Sequence, residues 1–147
     1  MTRRSLPMLL VPVALIAAVA GLFGTASSQD KPAGAPKGGV YEMRTYTTHP
    51  GKLDALHARF RDHTLKLFEK HGMKNVMYWT PTDAEKSKNT LIYILWHESE
   101  DAAKKSFAAF GADPDWKKAR DESEKDGKIV AKVESVFMKT TDYSPHK

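Results

Sequence analysis

The chain has 147 residues, 41% of them hydrophobic and 28% charged, which suits one globular domain and excludes wholesale disorder. It contains no cysteine, so disulfides, thiolate nucleophiles and Cys-bound zinc or iron–sulfur centres are ruled out. The formal net charge is +5, but Arg3 and Arg4 stand ahead of an apolar run and the other lysines are interleaved with acids. That pattern lacks the one-sided basic face of a nucleic-acid binder, so no nucleic-acid partner is expected.

Residues 1–28 read as an export signal. Arg3 and Arg4 form a basic start, Met8 to Phe23 is an uncharged apolar run, and Gly24, Ala26, Ser27 and Ser28 supply small residues for cleavage. Thr2-Arg3-Arg4-Ser5-Leu6 faintly resembles a twin-arginine signal. The expected location is therefore periplasmic or secreted, with no stable membrane insertion after cleavage. The alternative is an uncleaved N-terminal anchor, against which stand Pro12 and a run shorter than the roughly 20 residues of a spanning helix. Residues 29–39 are dense in Pro and Gly and read as a disordered linker before a domain over 40–147.

Val40 to Thr47 is the first predicted strand, with Tyr41, Met43 and Thr45 on one face and Glu42, Arg44 and Tyr46 on the other. His49-Pro50-Gly51 breaks it. Lys52 to His71 follows as a long amphipathic helix. Leu53, Leu56, Phe60, Thr64, Leu67 and His71 recur at steps of three and four and form its apolar stripe, and Gly72 stops it. His57 and His63 lie at opposite edges of that stripe, about 120° apart, so they cannot chelate a metal from one helix. A single axial histidine to haem is still compatible with the spacing, although no haem motif is present.

Met73 to Thr80 is the second strand, Pro81 to Asn89 a polar loop, and Thr90 to His97 the third strand. The third alternates Leu91, Tyr93 and Leu95 with Ile92, Ile94 and Trp96, so it is apolar on both sides and needs cover on both. Helices can cover one side; the other calls for a second chain, since soluble monomers avoid large bare apolar patches. A homodimer is therefore expected. Ser99 caps a short helix, Glu100 to Phe110, which Gly111 should end. Asp113-Pro114 opens another, and Lys128 to Thr140 is the fourth strand. The order of elements is the βαββαβ pattern of an α+β, ferredoxin-like fold: a four-stranded antiparallel sheet with helices on one face.

Tyr41-Glu42-Met43-Arg44-Thr45-Tyr46-Thr47, Pro50-Gly51-Lys52-Leu53, Phe60, His63, Leu67 to Gly72, Tyr78-Trp79-Thr80, Asn89, Trp96 to Ser99, Asp113 to Trp116 and Asp142 to Pro145 together resemble the NIPSNAP family. The resemblance runs from Val40 to Pro145. It implies a dimeric α/β barrel, an architecture shared with small monooxygenases, haem-degrading enzymes, dye-decolorising peroxidases and stress-response barrels. It implies no defined reaction, and its best-known animal members are mitochondrial, so the export signal departs from them.

One reading of function is a protein that binds a small, aromatic or haem-like ligand between helix and sheet. Arg44 would hold an anion, Tyr46, Tyr78 and Trp96 would supply aromatic walls, and His63 would be base, hydrogen-bond donor or axial ligand. The alternative is a non-catalytic dimeric interaction module of the cell envelope. No nucleophile elbow, phosphate-cradling glycine loop or dinucleotide fingerprint is present.

Overall fold

The structure is a computed structural model that describes residues 38–145. The expected export signal, the linker up to Lys37 and the last two residues of the tail lie outside the described residues. The elements are β1 (Val40–Thr48), α1 (Leu53–Arg59), a π-helical turn (Phe60–Thr64), α2 (Leu65–Lys70) and β2 (Lys74–Trp79). After them come a 3-10 turn (Lys86–Lys88), β3 (Thr90–His97), α3 (Glu100–Ala112), α4 (Pro114–Ser123) and β4 (Val130–Met138). The sheet order is β2-β3-β1-β4, and every neighbouring pair is antiparallel. This is the α+β, ferredoxin-like arrangement expected from the element order.

The long helix is one rod with a widened middle. Phe60 and Leu65, at its two joins, keep right-handed helical backbone angles, but the Leu65 N–H donates to the Phe60 carbonyl five residues back. The extra residue in that turn lets Arg59, Phe60 and Thr64 all be buried. The helix ends as Gly72 demands: its φ is 78°, and Met73 N–H donates to the Phe68 carbonyl at 2.9 Å while Gly72 N–H donates to Glu69 at 3.0 Å. Met73 and Phe68 are both buried, completing the hydrophobic half of that helix stop.

Gly111 does not end α3, contrary to expectation; the helix runs on to Ala112. The stop is Asp113, whose backbone is extended (φ −61°, ψ 126°) because the ring of Pro114 crowds the helical region for the residue before it. The Asp113 side chain then caps α4 by accepting from Asp115 N–H at 2.8 Å. The other expected cap holds as read: the Ser99 hydroxyl accepts from Ala102 N–H at 3.0 Å.

Leu53, Leu56, Phe60, Leu67 and Phe68 pack with Leu91, Tyr93, Leu95, Phe110 and Ile129 in one core between helices and sheet. Its centre is a web of rings: Phe60 lies 5.2 Å from Tyr93, and Tyr78 stacks on Tyr93 at 5.2 Å and 14°. A bulge between Asn75 and Met77 shifts β2 so that Tyr78 comes opposite Tyr93. Periodicity alone places His71 in the apolar stripe. It instead turns its Nε2 to the Asp113 carboxylate at 2.6 Å, which Lys70 Nζ also reaches at 2.9 Å. Those two partners hold the Asp113 carboxyl well below the usual carboxylate range, and they tie the end of α2 to the start of α4.

The other face of the sheet carries Tyr41, Met43, Ile92, Ile94, Met77, Trp79 and Val136, by strict alternation along the registered strands. No described helix packs there. Met77 is 51% exposed and Val136 52%. Trp96, on the same face, is the exception. Its indole N–H donates to the Gly38 carbonyl at 3.1 Å, and Lys74 Nζ sits 4.5 Å from its ring centre. Gly39 allows that approach: a Cβ there would fall 2.6 Å from the Trp96 ring.

Candidate functional site

The polar residues on the helix-facing side of β1 and its neighbours form a buried network. Glu42 Oε1 accepts from the Arg44 guanidinium at 2.5 Å and from the Ser135 hydroxyl at 2.6 Å; Glu42 Oε2 lies 3.0 Å from His97 Nε2. Glu42 is 2% exposed and His97 1%. Burial works against the Glu42 charge, but the bonds from His97 and Ser135 and the charge of Arg44 outweigh it, and its pKa falls. Burial likewise opposes the Arg44 charge. Tyr46, Tyr93 and the Glu42 carboxylate overcome that, and the guanidinium ends more basic than usual. Arg44 also lies 4.4 Å over the Phe107 ring. Its charge is thus answered from within the chain.

Among the described residues, clefts at two places border the core. The larger, about 350 Å³, is lined by His57, Phe60, Arg61, Leu65, Tyr78, Trp79, Thr80 and Leu91. Its visible polar pair, His57 Nε2 and the Thr80 hydroxyl at 3.3 Å, is exposed. The second, about 190 Å³, lies between sheet and helices and is lined by Tyr46, Arg59, Phe60, Thr64, Phe68, Phe110, Trp116, Val130 and Val133. Phe60, at the start of the π turn, is a wall of both. We regard the smaller cavity as the candidate site, because a buried cation and a set of aromatic rings converge on it.

Arg59 is that cation. It is 5% exposed, and its guanidinium donates to Glu124 Oε1 at 3.0 Å and to the Ser123 hydroxyl at 3.3 Å. The Trp116 ring lies 5.3 Å from the guanidinium carbon, and Trp116 in turn packs on Phe110 at 4.4 Å. The Thr64 hydroxyl donates to the Arg59 carbonyl at 3.1 Å. Arg59 Nε and the Tyr93 hydroxyl are buried without a hydrogen-bond partner among the described residues. Burial and the adjacent Tyr46 raise the Tyr93 phenol well above its ordinary pKa, so it stays a neutral donor.

The five residues expected to share a site do not all meet, although the Arg44 guanidinium lies 5.7 Å from the centre of the Tyr46 ring. Tyr46 lines the smaller cavity and Tyr78 the larger. Arg44 is committed to Glu42. Trp96 stands on the opposite face of the sheet, because residues an odd number of places apart on a strand point to opposite sides and Trp96 pairs with Tyr41, not with Tyr46. His63 is exposed and lines neither cleft: the π turn sends Phe60 and Thr64 inward and leaves His63 at the surface. No haem-ligand geometry is built on it. Reading the helix at uniform 3.6-residue spacing missed Arg59, which the widened turn brings inside; its neighbour Phe60 was the nearest signal. Among the described residues no group of three or more His, Asp or Glu is arranged to hold a metal ion, and no helix is long and apolar enough to cross a membrane.

Comparison with curated proteins finds no match. Among solved structures, a NIPSNAP family protein of unknown function from Agrobacterium tumefaciens superposes with a TM-score of 0.63 at 24% identity, over 75% of this chain and 95% of that one. A NIPSNAP domain protein from Burkholderia xenovorans gives 0.60 at 19% identity, over 72% and 98%. A monooxygenase from Streptomyces coelicolor, solved with nanaomycin D, gives 0.51 at 18% identity, over 74% and 93%. These likenesses establish the ferredoxin-like fold of the dimeric α/β-barrel type. The NIPSNAP family model matches residues 41–145, from the first strand through the tail, and the chain belongs to the NIPSNAP family.

Proposed function

We propose that this chain is an exported, homodimeric small-molecule-binding protein whose ligand sits in the cavity between sheet and helices. The observation that carries the reading is a cavity of about 190 Å³ walled by Tyr46, Phe60, Phe68, Phe110 and Trp116 around the buried Arg59. Mostly apolar walls with one or two polar groups are the usual form of a small-ligand site. No histidine lines the cavity, and we assign it binding rather than a defined reaction. The basic start and apolar run of residues 1–28 support export.

The apolar face bearing Met77, Trp79, Ile92, Ile94 and Val136 supports the dimer. A second copy laid sheet against sheet would cover it by the packing that covers sheets in sandwiches. That same face favours the alternative, a non-catalytic envelope module that uses it to assemble.

Native mass spectrometry of the protein recovered from the cell envelope tests these parts together. The expected result is a dimer lacking the signal, with a retained small molecule, and a Val136→Glu variant that runs as monomer. A monomeric wild type would end the dimer reading. A dimer that repeatedly carries no ligand and binds none from a panel of aromatic compounds would leave the interaction module.

A further inference from the structure

The cavity also carries information about what fits it. We infer that it selects a one- or two-ring aromatic molecule bearing a neutral carbonyl oxygen, and that Glu124 is the residue that turns away the corresponding carboxylate. This rests on the ligand-binding reading above. The volume of about 190 Å³ is a little above the ~150 Å³ that admits benzene in an engineered cavity, so one ring or a compact pair of rings is the right size. The walls supply ring faces and edges from Tyr46, Phe60, Phe110 and Trp116.

The polar selectivity comes from how Arg59 is already used. Its charge is met by Glu124 at 3.0 Å, and a second donor contact goes to Ser123 at 3.3 Å. Its Nε–H is buried and without a hydrogen-bond partner among the described residues. A buried donor left unpaired is costly, and a ligand acceptor would recover that cost. A carbonyl oxygen brings an acceptor and no charge. A carboxylate would bring a second negative charge to an Arg59 already paired with Glu124, and the two anions would repel each other. The Thr64 hydroxyl cannot relieve this, because its hydrogen is given to the Arg59 carbonyl at 3.1 Å.

Titration calorimetry of the purified full chain with 1-indanone, indane and indane-1-carboxylate tests the inference. The ketone should bind about tenfold more tightly than the hydrocarbon, the typical worth of one added hydrogen bond, and the carboxylate more weakly than both. Arg59→Lys keeps a cation for Glu124 but removes the Nε–H, and should bring 1-indanone down to the level of indane. Glu124→Gln should raise carboxylate affinity about tenfold. Indane matching 1-indanone in the wild type would overturn the selectivity while the cavity remained a binding site. A Glu124→Gln variant that still rejects the carboxylate would overturn the role of Glu124. Failure of all three probes would overturn the binding reading and the selectivity with it. If near-UV circular dichroism shows Arg59→Lys unfolded, the wild-type ratio and Glu124→Gln decide the matter.

Discussion

On the helix side of the sheet, Tyr93 and Leu95 of β3 are fully buried; on the opposite side, Met77 of β2 and Val136 of β4 are half exposed. Both faces are apolar. They differ in what the chain has left to cover them with: α1 to α4 all pack on one side, while the other has no described helix and is covered at Trp96 by Gly38 and Gly39. The helix side also holds charged residues, because Glu42 is met there by Arg44, His97 and Ser135, although Arg44 Nε and His97 Nδ1 have no hydrogen-bond partner among the described residues. The open side keeps its few charges, such as Lys132 and Glu134, near its β4 edge, where they pair at 2.9 Å. A finished core can therefore carry buried charge where opposite charges meet, while a surface awaiting a partner keeps a simple apolar middle.

The sharpest way to break this contrast is to cut into the finished side. Phe68, which touches Phe60, Tyr93, Phe107 and Phe110, should cost about 3–5 kcal/mol on Phe68→Ala in urea unfolding. A loss under about 1 kcal/mol would mean that this side is loosely packed.

Next in size is the charge network. Glu42→Gln strands Arg44 and His97 in the core and should cost about 3 kcal/mol. The sign of its pH dependence follows from the lowered pKa of Glu42. The folded protein binds that proton less readily than the unfolded chain does. The stabilisation is present above the unfolded carboxylate pKa and is lost as pH falls through the lower folded value. Asp113 acts in the same direction. Urea midpoints measured downward through the acid range should fall less steeply in Glu42→Gln than in the wild type. Equal slopes would remove Glu42 from the account.

The smallest effect belongs to the open side. In dilute protein Val136→Ala should shift stability by less than about 0.5 kcal/mol, as exposed positions do. At high concentration its cost should rise as burial against a second copy adds in. A large cost independent of concentration would show that the chain covers this face itself.

How much could be read beforehand differs between the fold and the site. Alternation in Leu91 to Trp96 placed each residue of β3 on its correct face, and Gly72, Ser99 and Asp113-Pro114 marked helix ends through local backbone chemistry. Gly111 misled, because glycine permits a stop without requiring one and the neighbouring Pro114 enforces it at Asp113. The site was much less legible. Tyr46 was found, yet Arg59 was not, since a uniform helical wheel cannot show a turn of five.

The sequence by itself determined the order of the elements, the two apolar faces and the family, because these depend on period, local propensity and ordered motifs along the chain. Only the tertiary structure decided which cation lies inside the cavity, that Glu42 claims Arg44, and that Trp96 stands away from Tyr46. The first and last depend on distances between residues far apart in the chain, set by one extra residue in a helical turn and by strand register; Glu42 and Arg44 are near neighbours on one strand, and it is the burial around them that pairs them.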